Sequence, residues 1–205
     1  MDTKEKIIEL LKRTKREGIE TMIKYMVTEG FFESPASTRF RGCYEGGLAD
    51  HSLAVYEKLN QFCLVIEPGV ARGSGQKPLP LEPNNIIIAA LLHDVCKIGA
   101  YVGNEKPYRW NKSQPKGHAI LSIERIKKHI ELTDIEEMMI KFHMGTYGTI
   151  EFESYCSEYP IRGDKSKSKE ERYGKSLANA WYHNPIVKLM YFCDEIATLE
   201  AKAEE

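Results

Sequence analysis

The chain has 205 residues, 42% of them apolar and 29% charged, with a formal net charge of −1. That is enough sequence to build a self-supporting core, and the near-neutral balance excludes the whole-chain basic footprint of a nucleic-acid-coating protein. Five scattered cysteines (Cys43, Cys63, Cys96, Cys156 and Cys193) show no CxxC spacing, so a reducing compartment is expected rather than a disulfide framework, and each is read as a small buried hydrophobe.

In chain order, the opening "MDTKEKIIELLKRTKREG" is too charged for a signal peptide. No apolar run reaches the roughly 18 residues of a spanning helix, so a cytoplasmic protein with no membrane partner is expected. Residues 3 to 29 place Ile7, Leu10, Leu11, Ile19, Met22, Ile23 and Met26 at helical spacing, as two helices broken near Gly18 or one bent helix. "SPASTRFRGCYEGG" reads as a loop, followed by a helix from about Leu48 to Ile66. Residues 67 to 83, with four prolines and three glycines, form a second loop. A helix opening at Asn84 or Asn85 is apolar almost all round and is expected to be central. "YVGNEKPYRW", residues 101 to 110, suggests a short β-hairpin. Helices are expected over about 117–131 and 134–143, the second with Thr133 or Asp134 as its N-cap. Residues 144 to 181, with the run "RGDKSKSKEER", read as a solvated loop. A last helix should run from about Asn184 to Ala201, with Pro185 in its first turn. The expected architecture is all-α: one domain over 1–205, with 1–47 as N-terminal helices and loop and 48–201 as a helical core.

The chemistry concentrates where the greasy run Ile86–Leu92 ends in His93, Asp94 and, three residues later, Lys97. A buried unpaired carboxylate costs several kcal/mol, so Asp94 needs a partner. Lys97 would satisfy it as a plain ion pair; a metal would satisfy it differently. Other polar residues also fall on core-facing stripes. His51 lies between Leu48 and Val55, Asp194 stands among Val187, Met190 and Ala197, and His143 follows Met139 by four. His118 opens its helix after Gly117. Four imidazoles and two carboxylates suit a centre of Fe, Mn or Zn, with Mg admissible, better than an all-oxygen Ca site. His129, among charges, is expected at the surface, and His183 is read as structural. Tyr101, Tyr108, Arg109 and Trp110 could stack on a base as a lid, or simply pack as a hairpin on the helices.

The order His51, His93-Asp94, Asp194 resembles the H…HD…D pattern of HD-domain metal-dependent phosphohydrolases. "YEGGLADHS", "LLHDVCKIG", "KGHAILS", "FHMGTYG" and "LMYFCDEIAT" are similar to elements of the HD-type 3′-5′ exoribonucleases and their small phage and bacterial relatives. The chain departs from them at Arg41-Gly42 and at Met144, where those enzymes often carry histidines. The resemblance implies that His51, His93, Asp94 and Asp194 bind one metal and that Asp94 bridges to a second held by His118 and His143. It also implies catalytic roles for Asp94 and Lys97, with Lys97 placed to meet a substrate phosphate; Arg41, by its charge alone, is a second candidate to neutralise phosphoryl oxygens. The function implied is hydrolysis of a phosphoester in a nucleotide or short nucleic-acid end by a metal-activated water. The alternatives are a di-iron oxygenase of the inositol-oxygenase type and a non-catalytic nucleotide-binding HD protein. The sequence leaves the oligomeric state open.

Overall fold

The computed structural model describes residues 1–39, 42–63, 82–103, 106–115, 117–148 and 169–203. Among them are eight α-helices: α1 (Thr3–Arg13), α2 (Ile19–Thr28), α3 (Gly47–Cys63), α4 (Pro83–Leu92), α5 (His118–Lys127), α6 (Asp134–Phe142), α7 (Lys169–His183) and α8 (Pro185–Ala203). A two-stranded ribbon, β1 (Tyr101–Val102) and β2 (Arg109–Trp110), pairs antiparallel with Tyr101 opposite Trp110. The fold is therefore helical with one small hairpin, as the hydrophobic periodicity requires.

Local chemistry sets the helix ends. Asp2 and Glu5 form a reciprocal capping box at α1, and Thr133 and Glu136 repeat it at α6. Gly18, at φ 80°, separates α1 from α2, so the N-terminal segment is two helices rather than one bent helix. Pro83 supplies the first residue of α4, one position ahead of the sequence expectation. Helix α5 stops at Lys127, short of the expected 131. The chain tightens there, with the amides of both His129 and Ile130 donating to the Ile126 carbonyl, and turns toward the Thr133 cap while Ile130 stays buried.

The largest correction concerns residues 144–181, expected as loop. Gly145–Tyr147 form a 3-10 turn and Lys169–His183 form α7. Leu177 and Ala180, three apart, are both buried, and Trp181 packs against the core beside them. That stripe is short, and the preceding charge run masks it in a window average. Residues 149–168, with Cys156 and most of that run, lie outside the described residues, as do 64–81.

One cluster of buried side chains runs from Ile7 to Ala197. Helix α3 packs against α4 and α8, while α6 packs against α4 and α8 in turn. Ile86 to Leu92 are all buried, so α4 is the central helix. Helix α5 lies against the 3-10 turn Val95–Lys97 that follows α4. Among the described residues no helix is long and apolar enough to cross a membrane. Cys43, Cys63, Cys96 and Cys193 are free thiols. Burial pushes Cys193 up to about 12 and Cys63 to about 11, as protonated structural thiols.

Candidate metal centre

Each candidate side chain is delivered by a distinct local device. Gly46 adopts φ +87°, and a Cβ on Gly47 would fall 2.1 Å from the Gly42 carbonyl oxygen. Only glycine fits that approach, which starts α3 and sets His51 one turn inside it. His93 ends α4, and Asp94 then leaves the helical region at φ −110°, ψ 15°. In a continued helix, adjacent side chains would diverge by about 100°. The break lets both face one point. His118 is the first residue of α5 and His143 the cap of α6. The turn after His143 passes under Tyr191 of α8, where a Cβ on Gly145 would meet the tyrosine ring at 2.7 Å. Asp194 projects from α8, flanked by the buried Val187, Met190 and Ala197.

All six converge. Asp94 Oδ2 lies 3.4 Å from His93 Nε2 and 3.7 Å from His51 Nε2. His51 Nε2 is also 3.0 Å from Asp194 Oδ1, and His93 Nε2 is 3.8 Å from it. On the other side of the same carboxylate, Asp94 Oδ1 lies 2.7 Å from His118 Nε2 and 3.6 Å from His143 Nε2. The imidazoles form a chain, with His93 and His143 ring centroids 4.8 Å apart. His93, Asp94 and His143 are fully buried or nearly so; His51, His118 and Asp194 sit at the rim of the cluster.

The donor chemistry fits a cation. His93 Nδ1 lies 2.8 Å from the Ala90 carbonyl and His143 Nδ1 2.6 Å from the Ile140 carbonyl. A carbonyl only accepts, so each Nδ1 carries a proton and each ring turns its Nε2 inward, the nitrogen that offers a lone pair to a cation. Both Nε2 atoms are buried and have no hydrogen-bond partner among the described residues. Burial, foremost, keeps His143 below the ordinary histidine range and hence in the ligand form. Burial alone would raise Asp94 and Asp194, but Lys97, His93 and His118 around the first, and His51 around the second, hold both well below the usual carboxylate range. Lone pairs and negative charge thus meet at one place, the arrangement a divalent ion satisfies. His51, His93 and Asp194 make one three-ligand group, and His93, Asp94 and His143 another, the donor atoms of each lying within 4.8 Å of one another.

Lys97 forms the ion pair that the sequence allowed, Nζ to Asp94 Oδ2 at 2.7 Å. Burial would lower its ammonium, but Asp94, Tyr101 and Asp194 together hold it above the ordinary lysine range. Lys97 also lines a cleft of about 540 Å³ that opens over the cluster and includes His51, Asp94, His118, His143 and Asp194. Arg41 lies outside the described residues. His129 is half-buried rather than at the surface, its ring tilted on Tyr25 at 4.8 Å between centroids. His183 belongs to none of the candidate ligand groups and stacks edge-on with Tyr182.

Four residues were missed. Cys96, read only as a small hydrophobe, is buried, but its sulfur is 3.2 Å from His118 Nδ1. Burial would lower His118, but Cys96 and Asp94 hold it well above the ordinary range. Ser122 Oγ accepts from the Cys96 amide at 3.1 Å. Arg125 Nη1 donates to the carbonyls of Val95, Cys96 and Ile98, and Gln114 Nε2 donates to Cys96 O at 2.7 Å. These side chains clamp the turn that carries Asp94 and Lys97. The available signal was Ser122 and Arg125 beside the apolar positions of α5.

The family model described as the HD domain matches residues 48–176. No curated protein and no solved structure matches the chain.

Proposed function

Because the chain belongs to the HD domain family, we propose that it is a metal-dependent phosphohydrolase acting on a nucleotide or a short nucleic-acid end. The observation that carries the reading is the two-sided use of Asp94. One oxygen faces His51, His93 and, through them, Asp194; the other faces His118 and His143. His51, His93, Asp94 and Asp194 would hold one divalent ion, and Asp94, His118 and His143 a second. Bound there, such ions supply an acidified water and withdraw charge from phosphoryl oxygens.

The chain's own groups do the rest. The Nδ1–carbonyl bonds of His93 and His143 fix both rings before substrate arrives, so no reorientation is needed on binding. Lys97 stands at the mouth of the cluster as a fixed positive charge, placed to neutralise a phosphoryl oxygen. The apolar packing of α4 closes the cluster from behind and leaves the 540 Å³ cleft as its approach.

The test has two stages. Metal analysis of protein purified without chelator should find about one or two divalent ions per chain. Nucleotides and short oligonucleotides should then release phosphate or nucleotide in a metal-dependent manner. Activity surviving the triple change of His51, Asp94 and Asp194 to Ala would overturn the reading. Oxygen uptake with a polyol would replace it with the di-iron oxygenase alternative, which the same donor set could serve.

A further inference from the structure

A second cleft, of about 610 Å³, adjoins the one over the cluster, and Lys97, His118 and Met144 line both. Its volume falls within the roughly 300–1,000 Å³ of small-molecule sites. Its walls have a different character. Tyr101 and Trp110 come from the ribbon, while Ala100 and Leu121 are apolar. Trp110 is 46% exposed and meets Tyr101 edge-on, with ring centroids 5.7 Å apart and planes at 77°. A large indole left half in solvent on a two-residue strand adds little to the core, yet it lines a cleft that the Lys97 side chain lines as well.

We propose that this second cleft seats a nucleobase, stacked on Trp110, while the phosphate of the same molecule passes Lys97 into the metal cleft. The inference rests on the phosphohydrolase reading and narrows its substrate class. Two adjoining clefts call for a ligand with an anionic end and a planar end held apart by a spacer, which a sugar provides. A ring bonded directly to the phosphate would leave the second cleft empty. Stacking is tolerant of base identity because every base has a π-face, so the site selects for having a base rather than for which base. A mononucleotide and the terminal nucleotide of a strand share this chemistry.

The chain has two tryptophans, and Trp181→Phe leaves Trp110 as the single indole reporter. In that background, loaded with a diamagnetic divalent ion, three probes are titrated: adenosine 5′-phosphorothioate, a tetra-adenylate with phosphorothioate linkages, and ribose 5-phosphate. The nucleoside probe should quench Trp110 emission saturably and bind at least about ten-fold tighter than ribose 5-phosphate, the effect of one stacked base. Trp110→Ala, its binding followed by calorimetry, should remove that advantage and leave ribose 5-phosphate binding unchanged; Trp110→Phe should restore most of it. Because Trp110 is half exposed, the Ala variant should fold, and its far-ultraviolet dichroism checks this. If the tetranucleotide binds tighter than the mononucleotide and loses as much affinity in Trp110→Ala, the base-binding site is supported and a strand end is the ligand; the reverse order supports it with a free nucleotide. Equal affinity for the nucleoside probe and ribose 5-phosphate, or an advantage that survives Trp110→Ala, overturns the proposal. Failure of the underlying reading looks different: no phosphate probe, ribose 5-phosphate included, would bind in a metal-dependent way, and that outcome overturns both.

Discussion

Among the described residues two carboxylates are buried, Glu136 and Asp94, and they are partnered in opposite ways. Glu136 is fully buried, and Arg16 meets it with two nitrogens at 2.6 and 3.0 Å, while the Thr133 amide adds a third donor at 2.8 Å. Each of its oxygens receives an N–H, so the charge is closed by the chain itself. Asp94, 1% exposed, has one lysine and is otherwise ringed by imidazoles, two of which turn lone pairs toward it. Burial is common to both; the protonation of the neighbours separates a structural carboxylate from a ligand. A donor-rich shell completes itself, whereas an acceptor-rich shell calls for a cation.

The difference can be broken at either end. The largest effect is expected from Asp94→Asn, which keeps the shape and removes the charge: metal-dependent turnover should fall by about a thousand-fold or more, read as kcat/KM against wild type. Arg16→Ala should leave turnover of the folded enzyme intact but strand Glu136, at about 3 kcal/mol and a thermal midpoint lower by roughly 10 °C in a scanning melt. Chelation should separate the two sites again. Stripping metal from wild type should lower the midpoint by roughly 5–10 °C, reversibly, if the ion was at about a hundred times its dissociation constant, and should leave the midpoint of Asp94→Asn unchanged. The smallest change is expected from Cys96→Ala, which removes the sulfur beside His118 Nδ1. Metal affinity should weaken by about ten- to a hundred-fold in a competition titration, with the midpoint of the metal-free protein little altered.

Much of this organisation was readable from residue order because its signals are local or periodic. A seven-residue apolar run ending in His93-Asp94 announces a buried helix with ligand-capable residues at its end. His51 and Asp194 announced themselves by falling on core-facing stripes, and the structure brings His51 to Asp94 and Asp194 to His51. Helix α7 was lost because its stripe is three residues, Leu177, Ala180 and Trp181, beside a charge run that outweighs it. Ser122 and Arg125 beside the apolar positions of α5 hint at a role, but the clamp they form with Gln114 on the 95–97 turn has partners the sequence does not reveal, for another reason. Side-chain bonds to backbone amides and carbonyls across 18 to 30 positions leave no spacing rule in sequence. The Arg16–Glu136 pair, 120 positions apart, is invisible for the same reason.

His93 and His143 each stand at the cap of a helix and each donates to a carbonyl three residues back. Those carbonyls belong to final turns, where the backbone ladder runs out of its own donors. One ring nitrogen therefore guards against fraying while the other is aimed. With the two rings 4.8 Å apart, the electronegative poles of α4 and α6 also meet at this spot, a field that attracts positive charge by about 0.3–1 kcal/mol per helix. Replacing either histidine would thus loosen a helix terminus as well as delete a ligand, and a designed substitute would have to supply both services from one side chain.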